Sequence, residues 1–164
     1  MRASCSCACS RVTVTTIRGI EGLKKLTGSE LRPSPWLAIT QEQVDAFART
    51  TRDEQWIHVD NTRAAASPFR ATLAHGFLTL SLIPHFWHTT TRVDGFAMAI
   101  NYGLNSVRFP APVPIPSRLR AHFRLDEVVD LAGGAQALLN VRIEREGIAK
   151  PVCVAEIMIR YLCH

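Results

Sequence analysis

Residues 73–87, LAHGFLTLSLIPHFW, are apolar almost throughout. Coiled as a helix, such a run shows greasy side chains on nearly every side, so it must be wrapped rather than laid on a surface. Pro84 kinks that helix or ends its regular part. The run is too short to cross a bilayer and is interrupted by His75, Thr79, Ser81 and His85. The rest of the chain therefore has to supply a wrapper.

That wrapper lies on the C-terminal side. After Asp94-Gly95 the period changes from helical spacing to alternation. FAMAINYG and LNSVRF read as strands. APVPIPS, with Pro112, Pro114 and Pro116 at alternate positions, reads as a bend or an edge. In RLRAHFRLDEV, Leu119, Ala121, Phe123 and Leu125 share one face, while Arg118, Arg120, His122 and Arg124 share the other. Gly133-Gly134 marks a turn, and AQALLNVRIERE and PVCVAEIMIRYL follow as two long strands. Helices first and strands after predict an α+β domain in which a strongly curved antiparallel sheet packs around residues 73–87.

Upstream, TIRGIEGLKKLTGSE reads as a weak helix or turn ending near Gly28, and LRPSPWLAIT as an extended segment shaped by its prolines. Thr40 with Gln43 three residues on forms a capping box, and Ile39 and Val44 are placed for a hydrophobic staple. Val44, Phe47, Ala48 and Thr51 continue at helical spacing. Asp60 is placed to cap a short helical turn in NTRAAA.

With 164 residues, 47% of them apolar, the chain suits one domain with a proper core. That domain is expected over 16–164, with residues 1–15 a disordered, cysteine-rich tail. Cys5, Cys7 and Cys9 alternate too closely to close sound disulfides among themselves, and they lack a fourth metal ligand nearby. Lys and Arg number 19 against 14 acids, and the net charge of +5 favours anionic partners in general. No dense basic run interleaved with aromatics appears, so nucleic acid is not indicated. Met1 and Arg2 lead into small residues rather than an apolar signal core, and no segment spans a membrane, so the expected location is the cytoplasm.

Chemistry concentrates in TRDEQWIHVDN, residues 51–61, where titratable groups alternate with Trp56, Ile57 and Val59. Asp53 and His58 are five apart, about 500° of helical turn, and lie on opposite faces of a strand. Only a loop leaving a helix brings them together. A carboxylate there would fix the imidazole tautomer and raise its basicity, and the two could hold and activate one water. The plain alternative is that Asp53 ends a helical turn and His58 is a satisfied core histidine. Gly76, at the expected start of the buried helix, offers a peptide N–H to a developing oxyanion, or simply allows close packing. His75 reads as a local cap or packing residue, with a ligand or base as the alternative. His85 and His88 share a helix face but find no third ligand, so no metal site is expected.

Read together, TTRDEQWIHVDNTRAAASPFRATLAHGFLTLSL, INYGLNSVRFPAPVP and SPWLAITQEQVDAFARTT resemble the signatures of the MaoC-like dehydratases, specifically the NodN-like branch. The resemblance covers residues 18–162. It implies a hot-dog fold, a long central helix wrapped by a curved antiparallel β-sheet. It also implies (R)-specific enoyl-CoA hydratase activity with Asp53 and His58 activating water and Gly76 supplying the oxyanion N–H. Gln55, Tyr102 and Asn105 are the candidate substrate-binding residues. No cofactor is expected beyond coenzyme A as part of the substrate, and the expected partners are an acyl-CoA thioester and a second copy in a homodimer, with no nucleic acid and no membrane. An acyl-carrier-protein substrate, or a non-catalytic domain that binds acyl thioesters, stays open beside this reading. The chain departs from the family pattern at Arg52, where glycine often precedes the catalytic aspartate, at Gln55-Trp56, at Arg70 and Ala71, where glycines are common, and at Ser106, where lysine is frequent.

Overall fold

The computed structural model describes residues 14–163, so Cys5, Cys7 and Cys9 lie outside the described residues. Strand β1 (Thr15–Arg18) leads directly into helix α1 (Gly19–Lys24). The short strand β2 (Leu37–Ile39) feeds helix α2 (Gln41–Thr51). The start of α2 is built as the sequence predicts: the Gln43 backbone N–H donates to the Thr40 hydroxyl, and the Gln43 side chain accepts from the Thr40 N–H. Two short helices follow, α3 (Trp56–Val59) and α4 (Asn61–Ala65), and the Asp60 carboxylate caps α4 by accepting from the Arg63 N–H at 2.9 Å.

The apolar run does not form one helix from Leu73. Leu73 bridges to Pro114, and the Ala74 N–H donates to the Val113 carbonyl, which keeps residues 73–75 extended. Helix α5 (Gly76–Ser81) starts at the glycine, and α6 (Ile83–Thr90) continues after a break at Leu82. Pro84 explains the break: it has no N–H for the Leu80 carbonyl, and its ring crowds that carbonyl. Nor is the helix pair buried all round. Leu78, Ile83, Phe86 and Trp87 point into the core, while Phe77, Ser81, His85 and His88 are exposed.

After β3 (Thr91–Asp94) come the four long strands β4 (Met98–Arg108), β5 (Ser117–Leu131), β6 (Gly134–Arg145) and β7 (Cys153–Leu162). With β2 they form one antiparallel sheet in the order β2-β5-β6-β7-β4. The alternation read in β5 is realised: Leu119, Ala121, Phe123 and Leu125 are buried beside the inward residues of β6 and β7. Trp87 of α6 meets Phe123 of β5 edge-on, ring centroids 5.2 Å apart, and this contact seats the helix in the sheet. This is the hot-dog arrangement. Two features differ from the sequence reading. FAMAINYG and LNSVRF are one strand, because bulges at Tyr102 and Asn105 absorb the irregularity against β7. Residues 16–18, expected as helix or turn, and Thr15, expected in the tail, pair in parallel with β3 and bury Ile17.

Candidate active site

Helix α2 ends at Arg52, which takes the left-handed conformation with φ of 62°. That residue turns the chain out of the helix and releases Asp53 into the loop predicted for it. The Asp53 side chain is 54% exposed. Gln55 sits at the start of α3, exposed and without a capping bond. One turn of α3 then carries His58 inward until only 8% of it is exposed.

Three contacts fix His58. Its Nδ1 lies 2.7 Å from the Leu73 carbonyl oxygen, which makes Nδ1 the protonated nitrogen of the neutral ring. Its own carbonyl accepts from Gln41 Nε2 at 2.8 Å, and Gln41 in turn accepts from the Thr72 hydroxyl. Its ring stacks on His75, centroids 3.7 Å apart and planes 24° from parallel. Among the described residues, His58 Nε2 has no hydrogen-bond partner, and it is not sealed from solvent. The expectation that Asp53 fixes the His58 tautomer is therefore corrected: the extended segment at Leu73 does so, through a backbone carbonyl. Burial lowers the His58 pKa below its ordinary value, and the neighbouring His75 adds to this. The Leu73 carbonyl and the Asp53 charge work in the opposite direction without reversing it.

His75 is 2% exposed and provides no cap for α5. It packs locally, as expected, but in a telling place. Its Nε2 donates to the Asp53 backbone carbonyl at 2.9 Å and lies 3.9 Å from the Asp53 carboxylate. Asp53, His58 and His75 thus place their polar side-chain atoms within 4.8 Å of one another. The cluster is poorly arranged for a metal. Two stacked rings send their in-plane lone pairs side by side rather than towards one ion, and the His75 Nε2 proton is already engaged. His85 and His88 stand exposed on α6, away from this group.

Gly76 opens α5 directly after His75, so its N–H has no carbonyl one turn back within the helix. The Phe109 ring covers this glycine so closely that a β-carbon would stand 2.9 Å from the ring. Phe69, Ala74, Thr79, Pro112 and Val113 complete a cavity of about 290 Å³ there. Among the described residues, no hydrogen bond or ring contact joins Tyr102 or Asn105 to Asp53, His58 or Gly76. Tyr102 is exposed on β4, with the Arg160 guanidinium 3.2 Å from its ring centroid. The sequence reading missed the roles of Leu73 and Phe109. The signal for Leu73 was its place just before Ala74-His75-Gly76, where backbone leads into a helix start.

The chain matches the MaoC like domain family over residues 23–144. It is 51% identical over 148 residues to 3-hydroxyacyl-thioester dehydratase Z of Mycobacterium tuberculosis (strain ATCC 25618 / H37Rv), covering 90% of this chain and 98% of that one. It is 46% identical over 133 residues to nodulation protein N of Rhizobium leguminosarum bv. viciae, covering 78% of this chain and 81% of that one. In fold it is similar to an unliganded R-hydratase from Pseudomonas aeruginosa, with a TM-score of 0.68, 23% identity, and coverage of 84% of this chain and 83% of that one.

Proposed function

The chain belongs to the MaoC-like dehydratase family, and on that premise we propose that it adds water reversibly to trans-2-enoyl-CoA thioesters to give (3R)-hydroxyacyl-CoA. One observation carries the proposal: a buried imidazole with a free Nε2 stands beside a half-exposed carboxylate and close to an uncommitted helix-start N–H.

Water sits between the Asp53 carboxylate and His58 Nε2. Nε2 takes a proton as the oxygen attacks C3, the electron pair of the C2–C3 double bond moves towards the carbonyl, and negative charge gathers on the thioester oxygen. The Gly76 N–H stabilises that oxygen. Because α5 has only six residues, the peptide N–H itself matters more here than a helix macrodipole. Return of a proton to C2 completes the hydration, and the same groups run the dehydration in reverse. Gln55 contacts the substrate beside Asp53.

A second copy completes the site. Among the described residues, strand β4 is a bare sheet edge with Ile100, Tyr102 and Leu104 exposed. Antiparallel pairing of two such edges about a twofold axis buries them and lays the Met98 end of one against the Arg108 end of the other. Tyr102 and Asn105 then lie at the seam, where they meet substrate. The cavity of about 290 Å³ beside Gly76, lined by Ala74, Phe109, Pro112 and Val113, gives the thioester end of the substrate room next to the donor N–H.

The test is hydration of an enoyl-CoA chain-length series, followed by loss of the enoyl ultraviolet absorbance, with chiral analysis of product and a parallel arm of acyl-carrier-protein thioesters. Asp53→Asn and His58→Ala should each lower turnover about 10²–10⁴-fold with the fold retained. Undiminished hydration by both variants would refute the mechanism, and faster turnover of the carrier-protein arm would move the assignment to that carrier.

A further inference from the structure

His75 touches both acting groups and is itself walled in. Phe47 of α2 lies on one side, ring centroids 5.1 Å apart, and His58 lies on the other at 3.7 Å. The Nδ1 atom is buried and, among the described residues, has no hydrogen-bond partner. The opposite nitrogen holds the Asp53 carbonyl, one residue beyond the left-handed Arg52. An orphaned polar atom is a cost that a phenylalanine or leucine here would avoid. What those residues could not do is donate to Asp53.

We propose that His75 is the positioning residue of this site, its Nε2–H setting the Asp53 backbone and its ring face setting the plane of the His58 imidazole. The proposal rests on the reading of Asp53 and His58 as the groups that act on water. Through His75 the loop after α2 and the short helix α3 are referenced to the first residues of the central helix, next to Gly76. One buried ring thereby fixes the spacing between carboxylate, imidazole and oxyanion donor. Gln41 adds a second tie by holding the His58 carbonyl, but it does not reach Asp53.

Two substitutions separate the two tasks. His75→Phe keeps a flat ring against His58 and removes the donor to Asp53. His75→Gln keeps a donor and removes the stack. Full-length protein of each is measured for kcat and KM, and for backbone NMR order parameters at residues 53–55 without substrate. In His75→Phe, kcat should fall about tenfold to a hundredfold with KM little changed, as expected for a small misplacement of reacting groups. The order parameters at 53–55 should drop from about 0.85 towards 0.6. His75→Gln should restore most of the loop order and still lose kcat, and it carries the same measurements if the phenylalanine variant does not fold. Unchanged kcat, or lost kcat with an unchanged loop in both variants, overturns the proposal. If Asp53→Asn and His58→Ala keep full turnover, the assignment of water activation to Asp53 and His58 fails instead, and the loop order, read without substrate, then decides the positioning role alone.

Discussion

The Nδ1 atom of His58 stands 2.7 Å from the carbonyl oxygen of Leu73. That bond decides which nitrogen can act as a base, and burial decides when it can. Because burial holds the His58 pKa below its ordinary value of 6.5, the neutral base persists into mildly acidic solution. The acid limb of the kcat/KM profile should therefore lie below the range of a free histidine. Stability follows the same group. Between the folded and unfolded values the unfolded chain binds more protons, so stability falls as pH drops below 6.5 and levels off once the folded ring also titrates. A kcat/KM profile and urea unfolding across pH 4.5–8 check both, and His58→Gln should flatten this part of the stability curve.

Gly76 and Phe109 leave no space between them. Gly76→Ala should fold, because Phe109 is partly exposed and its ring can move. It should nevertheless lower kcat by about tenfold or more, since the donor N–H and the thioester oxygen no longer meet at the right distance. Adding Phe109→Leu should recover part of the loss. Strictly additive effects in the double-mutant cycle would show that the ring and the glycine act independently.

Arg52 and Arg70 adopt φ of 62° and 57°. A side chain in this region costs about 1–2 kcal/mol, of which glycine would return part as extra unfolded-state entropy. Arg70→Gly should therefore stabilise the protein by about 0.5–1 kcal/mol, seen as a rise in Tm of about 1–4 °C. Arg70→Val should lower Tm, because a β-branched residue fits that conformation worst.

Gly134 begins β6 where the strand runs against the end of β7. A β-carbon there would run into the Tyr161 carbonyl, which is backbone and cannot step aside. Gly134→Ala should cost about 1–3 kcal/mol in urea unfolding, the range for overpacking a well-fitted site. Gly133→Ala faces open space and is strained only through its φ of 81°. It should cost less.

Local chemistry was readable in the sequence and long-range chemistry was not. The Thr40–Gln43 box and the Asp60 cap each join residues three apart, so they follow from spacing alone. The inward row of β5 follows from alternation. The departures at Arg52 and Arg70 were visible as missing glycines, and both prove to be positions where backbone sterics favour glycine. What escaped was set by partners far along the chain. β1 exists because β3 lies alongside it, and the bulges of β4 depend on β7. His58 is oriented by a carbonyl fifteen residues away, and a backbone oxygen carries no side-chain signature.

Among the described residues the outer side of β4 is unpaired, and its open N–H and C=O groups are available to any extended chain as well as to a sister copy in the proposed dimer. If the proposed dimer forms, its correct assembly is therefore a race. When synthesis outruns encounter between like chains, the ladder that should close the molecule instead recruits strays and grows into insoluble aggregate. A proline placed mid-strand would not yield a well-behaved lone subunit, since it leaves the greasy side chains of that edge unclothed. Soluble yield, more than melting temperature, would register the damage.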